Sequence, residues 1–314
     1  MQSVILSSNQ VHRLHHRFYE PTGDVQATLL IVHGMSEHSG RYDAFAKYLA
    51  EQGILVATYD QLGHGQTAKD KYELGFFDEK HPVQTLCKDV IIMADKLKEK
   101  APTVPHFIMG HSMGSFIVRT VLVHHATSFD GVILMGTGNR FGLINQLSLG
   151  ALSILNRLAP KQTNERMGYL LNQYLLSQLR SPISASPFAW LSENLDAIKA
   201  FEADPLCGFC FTNNGFVTLQ ALIARACQSD WYAMMDSTYP VLLISGKDDP
   251  VGNLGTDIKQ LQQALIRANV HNVRVHLYPN MRHEPLHERD YERVHQDIVR
   301  WLKDQLSTHS LHQP

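Results

Sequence analysis

Short apolar runs alternate with amphipathic stretches along this 314-residue chain, and that alternation restricts its architecture more than any other feature. The runs fall at 28–32, 54–59, 106–109, 131–135, 241–245 and 273–278, each followed by a turn. Runs this short and this continuously apolar suit strands covered on both faces. Between them, helix-period stretches lie at 41–52, 82–100, 115–125, 253–269 and 290–306. Strand and helix signals in alternation predict an α/β fold with a mostly parallel central sheet flanked by helices. Residues 3–20 alternate loosely and end at Glu20-Pro21-Thr22-Gly23-Asp24, which predicts an N-terminal hairpin pair before the first of these runs.

The alternation stops between about 138 and 230, where no buried-strand run occurs. The expected division is a core of residues 1–138 and 231–314 and a helical cap of residues 139–230, inserted after the sixth strand. No side chain from 142 to 155 is charged. Leu147, Ala151, Ile154, Leu155 and Leu158 share one helical face, while Leu143, Leu149 and Leu152 populate others. A helix apolar on several sides is either buried or faces something apolar. It is too short to span a bilayer.

Composition excludes several classes. Hydrophobic residues make up 44% and charged residues 18%, in the globular range. A net charge of −2 gives no footprint for nucleic acid. Cys87, Cys207, Cys210 and Cys227 form no disulfide framework for this length, and Cys207-Gly208-Phe209-Cys210 lacks the second ligand pair a structural zinc site needs. The residues after Met1 lack the basic start and longer apolar stretch of a signal peptide. The expectation is a cytoplasmic protein with reduced thiols, no metal and no cofactor, its oligomeric state open.

Gly110-His111-Ser112-Met113-Gly114 is a G-x-S-x-G pentapeptide between a strand-like run and a helix-like run. In that setting a serine occupies a sharp, strained turn with its hydroxyl lifted above the sheet. Side chains two residues before and after would collide with the turn, so both positions call for glycine. A serine hydroxyl is a poor nucleophile near pH 7 and needs a base, usually a histidine oriented by a carboxylate. On such a sheet the order is serine, acid, histidine, with the last two on loops after later strands. Asp248 and Asp249 follow the run at 241–245, and the two compete for the acid's role. His283 lies in the loop after the run at 273–278. His276 would sit mid-strand and His287 further toward the last helix, so His283 takes the base's position.

Acyl transfer also needs two donors for the developing oxyanion. The amide of Met113, next after the serine, is one candidate. The amide of Met35, in the loop His33-Gly34-Met35-Ser36-Glu37-His38-Ser39-Gly40, is the other. His33 and His111 adjoin these positions and are read as shaping loops. Asp60-Gln61-Leu62-Gly63-His64-Gly65 is read as an architectural turn, with Asp60 accepting backbone hydrogen bonds and His64 outside the chemistry.

From about residue 28 to 301 the chain resembles the α/β-hydrolase superfamily, specifically its monoacylglycerol lipase/lysophospholipase-like (serine aminopeptidase-like) group. His33 through Tyr42 is similar to that group's HG-x-x-EHSGRY segment. Asp60 through Gly65 is similar to its D-x-x-GHG turn, with Gln61-Leu62 in place of a basic pair. Gly246-Lys247-Asp248-Asp249-Pro250-Val251-Gly252 resembles the G-x-x-DPVG loop, whose acid falls on Asp249. Tyr278 through Glu284 resembles YPGARHE, whose base falls on His283, with Asn280 and Met281 departing from Gly-Ala. The resemblance implies a serine carboxylic-ester hydrolase with Ser112, Asp249 and His283 as triad and Met35 and Met113 as oxyanion donors. It implies monoacylglycerol or lysophospholipid substrates, with Leu143, Leu147 and Ile154 lining an acyl pocket and the cap in transient contact with lipid. Peptide, thioester or small aromatic-ester hydrolysis by the same triad is the alternative, with Glu193, Glu202 and Asp204 available to hold a substrate ammonium. A non-catalytic binding role is a further one, though no triad member is missing.

Overall fold

A computed structural model describes residues 4–140, 143–180 and 184–310, with the side chains of 143–149 and 308–310 outside the description. Seven strands form one sheet: β1 (His16–Tyr19), β2 (Ala27–Val32), β3 (Ile54–Tyr59), β4 (His106–His111), β5 (Gly131–Met135), β6 (Val241–Gly246) and β7 (Val273–Tyr278). Their order is β1-β3-β2-β4-β5-β6-β7. Only β1 runs antiparallel, against β3; the other pairs are parallel. The helices are α1 (Asp43–Glu51), α2 (Pro82–Lys100), α3 (Met113–His125), α4 (Leu143–Leu158), α5 (Glu165–Ser177), α6 (Leu195–Ala203), α7 (Asn213–Ala226), α8 (Thr256–Arg267) and α9 (Tyr291–Ser310).

Every residue of β2, β3, β5 and β6 is buried, as the unbroken apolar runs require of strands covered on both sides. Alternate side chains feed two cores. Leu30 and Val32 of β2 join Val90 and Met93 of α2, Ile117 and Val121 of α3, and Leu261 of α8. Leu29 and Ile31 face the other way, onto Phe45 and Leu49 of α1 and Ile298 and Trp301 of α9. The period-two alternation of a strand thus divides the helices into two layers.

Register brings the functional loops to one edge. Val32 pairs with Gly110, His111 with Met135, Met135 with Ile244, and Gly246 with Tyr278. The loops beginning at His33, Ser112, Gly136, Lys247 and Pro279 therefore all leave the carboxyl edge of the sheet.

Helices α4–α7 lie between β5 and β6. By the strands described, that insertion follows the fifth rather than the sixth. The difference arises at the N-terminus, where the expected hairpin pair yields one strand. Leu6 and Arg13 make only an isolated antiparallel bridge, and a tight turn held by Ser7 and Asn9 occupies the rest. Among the described residues, no helix is long and apolar enough to cross a membrane.

Candidate active site

Ser112 sits between β4 and α3 at φ 51°, ψ −120°, a conformation that costs a non-glycine residue about 1–3 kcal/mol. The neighbours leave no alternative to glycine on either side. A Cβ at Gly110 would stand 2.5 Å from the Gly114 carbonyl oxygen, and one at Gly114 would stand 2.1 Å from that of Val32. The Ser112 amide donates to the Met135 carbonyl at 2.9 Å, fixing the turn to the next strand. Met113 opens α3, so its N–H belongs to the first helical turn and has no acceptor within the helix.

Asp249 and His283, 34 residues apart, meet inside the protein. His283 Nδ1 lies 3.0 Å from Asp249 Oδ1, and both side chains are buried. Asp249 also accepts from Ser245 Oγ at 2.7 Å and the Val251 amide at 2.9 Å. Burial alone would raise its carboxyl, but the facing imidazole and these hydrogen bonds outweigh that and hold it below the usual value. A carboxylate fixed this way locks Nδ1 as the protonated nitrogen. Among the described residues, His283 Nε2 has no hydrogen-bond partner although it is buried. That nitrogen is the lone-pair face left for a proton.

The geometry separates candidates that sequence left level. Asp248 is half-buried, and its amide serves the loop by donating to the Met281 carbonyl at 3.0 Å. His276 on β7 faces Asp297 at 3.6 Å, away from the elbow. Burial pushes His287 down to about 4, leaving it neutral.

His283 and Ser112 are linked through His111, whose ring lies 4.9 Å from that of His283 and whose backbone leads into the elbow. The loop after β2 closes on the same spot, since a Cβ at Gly34 would stand 3.1 Å from Ser112 Cβ. That brings the loop carrying Met35 up to the serine's turn. Imidazoles shape this loop. His33 Nδ1 bonds the Gly34 carbonyl at 2.8 Å, and His64 Nε2 accepts the Ser36 amide at 3.2 Å. Desolvation pushes His64 down to about 3, so it is a fixed neutral acceptor. Asp60 fills the bracing role read from its turn, accepting from the amides of Ser39 at 2.8 Å and Gln66 at 2.7 Å.

Sequence reasoning passed over a buried ionic cluster. Arg41 forms a bidentate pair with Glu284, at 2.6 and 2.7 Å, and bonds Glu37 at 2.9 Å. Glu37 also receives the Gly34 amide at 2.5 Å and the Tyr42 hydroxyl at 2.9 Å. Burial opposes both carboxylates, but donors from Arg41 and His111 reverse the sign and hold Glu37 well below its usual value. Arg41 is raised despite its own burial, by the charges of Glu284 and Glu37. The visible signal was Glu37 and Arg41 at i, i+4 in a segment read only for its backbone.

The insertion bears on these loops. Trp190 packs on His283, ring centroids 5.1 Å apart, and its Nε1 donates to Asn172 on α5 at 3.0 Å. The Leu191 carbonyl accepts from the Glu284 amide, and the Ser36 carbonyl accepts from the Gly208 amide. The three acids considered for a substrate ammonium are largely committed. Glu193 pairs with Arg282 at 2.6 Å and Asp204 with His38 at 2.8 Å, while Glu202 accepts from Ser186 on the exposed side. Of the residues expected to line the pocket, the side chains of Leu143 and Leu147 lie outside the described residues. Ile154 is 63% exposed, with Leu155 and Leu158 also outward. Among the described side chains of α4, Leu152 is the buried one.

A parallel sheet with a strained serine after a central strand and a buried Asp–His pair on later loops defines an α/β-hydrolase. Residues 23–290 match the serine aminopeptidase, S33, family. Mouse monoglyceride lipase is 31% identical over 238 residues, covering 74% of this chain and 68% of that one. A monoacylglycerol lipase of Mycolicibacterium smegmatis is 23% identical, covering 94% of each chain. A thermostable carboxyl esterase of Bacillus coagulans, solved with glycerol, superposes with a TM-score of 0.89 at 25% identity, covering 98% of each chain. The chain belongs to the serine aminopeptidase S33 family and to its monoacylglycerol lipase-like group. It is a hydrolase of the lipase and esterase kind.

Proposed function

We propose that the protein is a serine carboxylic-ester hydrolase that works through an acyl-enzyme, with monoacylglycerols or lysophospholipids as its substrate class. The observation that carries this reading is the buried Asp249–His283 pair, its Nε2 unbonded, beside the strained Ser112 elbow. Ser112 Oγ attacks the ester carbonyl as its proton passes to His283 Nε2. Asp249 holds the imidazole in the required tautomer and stabilises the imidazolium that forms. The Met35 and Met113 amides receive the oxyanion. The imidazolium then gives its proton to the leaving alcohol, and a water activated by the same nitrogen cleaves the acyl-serine and regenerates the hydroxyl.

Three features favour a lipid ester over a peptide. Relatives across most of the chain carry monoglyceride lipase names. Two of the three acids that would hold a substrate ammonium, Glu193 and Asp204, are paired with other side chains. The insertion turns Ile154, Leu155, Leu158, Tyr169, Leu170 and Tyr174 outward, a surface suited to brief contact with lipid aggregates. In this reading residues 139–230 act as a cap over the acyl site. Rates measured side by side on monoacylglycerols, lysophospholipids and aminoacyl amides test the assignment. Monoacylglycerol or lysophospholipid turnover should exceed amide turnover by at least about 100-fold, a gap that differential transition-state binding readily supplies. Faster amide turnover would overturn it.

A further inference from the structure

His111 has an oxygen acceptor at each ring nitrogen. Nε2 lies 3.2 Å from the carbonyl oxygen of His283, and Nδ1 lies 3.0 Å from Glu37 Oε1. A carbonyl oxygen only accepts, so Nε2 carries a proton. Glu37 is itself surrounded by donors: the Gly34 amide and Tyr42 hydroxyl on Oε1, and the Arg41 guanidinium on Oε2. That is the environment of an ionised carboxylate, which also only accepts, so Nδ1 must donate as well.

We infer that His111 is a resident imidazolium, the fourth charge of a neutral buried quartet with Arg41, Glu37 and Glu284, and that it is a positioning residue for the proposed reaction. The count supports it. Two carboxylates and one guanidinium leave a net negative charge in a site where Glu37 and Glu284 are buried to within 2% and 3% exposure. Protonated His111, itself 3% exposed, closes the balance. The groups facing it are Glu37, Arg41 and Tyr42 from the loop after β2, and His283, Glu284 and the neutral His287 from the loop after β7. Burial pulls the imidazolium down, but the Glu37 hydrogen bond and the charges of Glu37 and Glu284 leave it raised above 6.5.

The consequence is mechanical. One ring grips the carbonyl of the candidate base and, through Glu37, the amide of Gly34 next to the oxyanion donor, while its own backbone enters the nucleophile's turn. Loss of either proton releases one of those loops. A folded value above the unfolded one means that this bracing is complete below about 6.5 and is lost as pH climbs through the folded value.

Histidine-labelled full-length protein tests this by 15N NMR. At pH 7 both ring nitrogens of His111, assigned by their loss in His111→Gln or by sequential connectivity, should be protonated. An unprotonated nitrogen at that pH overturns the inference and needs no variant to fold. Kinetically, Glu37→Gln should move the alkaline limb of kcat/KM to lower pH, and His111→Gln should cut kcat about 100-fold with KM little changed. An alkaline limb that stays in place in a folded Glu37→Gln protein also overturns it. This inference rests on the hydrolase reading, and the two fail separately. Ester hydrolysis surviving Ser112→Ala would remove that reading and with it any role for His111 in the reaction. A neutral His111 in a protein whose activity needs Ser112 would remove the inference alone.

Discussion

The loops at the carboxyl edge of the sheet and the outer ridge of the insertion are built to opposite plans. At the edge, Glu37, Arg41, His111, Asp249, His283 and Glu284 are buried or nearly so, and each is held by at least one short polar contact to another loop. On the ridge, α4 and α5 expose Leu158 at 78% and Tyr169 at 64%. Ion pairs inside a protein fix geometry at high cost if a partner is lost, whereas outward apolar side chains fix little and can meet a substrate of variable shape. In the proposed reading the chemistry sits where polar contacts hold the loops together, and the contact with lipid where side chains are free to adapt.

Breaking the edge should have the largest effects. Ser112→Ala is expected to lower kcat on a p-nitrophenyl ester by about 10⁴-fold or more, with the melting temperature unchanged or slightly higher. Asp249→Asn should cost about 10⁴-fold as well, because an amide facing Nδ1 permits the wrong tautomer. Glu284→Ala attacks the same region through stability, leaving Arg41 buried with half its partners. Denaturant unfolding should register a loss of about 3–5 kcal/mol.

Acid should also distinguish the two regions. The Asp249, Glu37 and Glu284 carboxyls are all held below their usual values, by neighbouring positive groups and hydrogen bonds that overcome burial. Their stabilisation is complete above the ordinary carboxylate range near 4 and is lost as pH falls through their lowered folded values. A melting series from pH 7 to 3 should steepen below about 4, and Asp249→Asn should flatten that slope. Ridge substitutions should be mildest. Leu158→Glu should change stability by no more than about 0.5 kcal/mol and spare short dissolved esters, while lowering activity on emulsified lipid. Equal losses on both substrates would erase the contrast between edge and ridge.

The sequence disclosed these regions unequally. Strands β3 and β5 fall on the residues that apolar periodicity marked, because a fully covered strand leaves an unbroken run. The serine's turn was legible because its two glycines are enforced by backbone contacts under 3 Å. Asp249 was separable from Asp248 only through resemblance, since both occupy one loop and only burial against His283 distinguishes them. The ionic cluster went unread because its partners, Arg41 and Glu284, are 243 residues apart. The orientation of α4 was hidden for a related reason. A helix apolar on several faces does not reveal which face is turned inward until its neighbour is known.

The most direct test is mass spectrometry after treatment with a fluorophosphonate. A single adduct is expected, on the peptide containing Ser112, forming in step with the loss of esterase activity and absent in the His283→Ala protein. An adduct on another residue, or full hydrolysis by protein labelled at Ser112, would contradict the proposed mechanism.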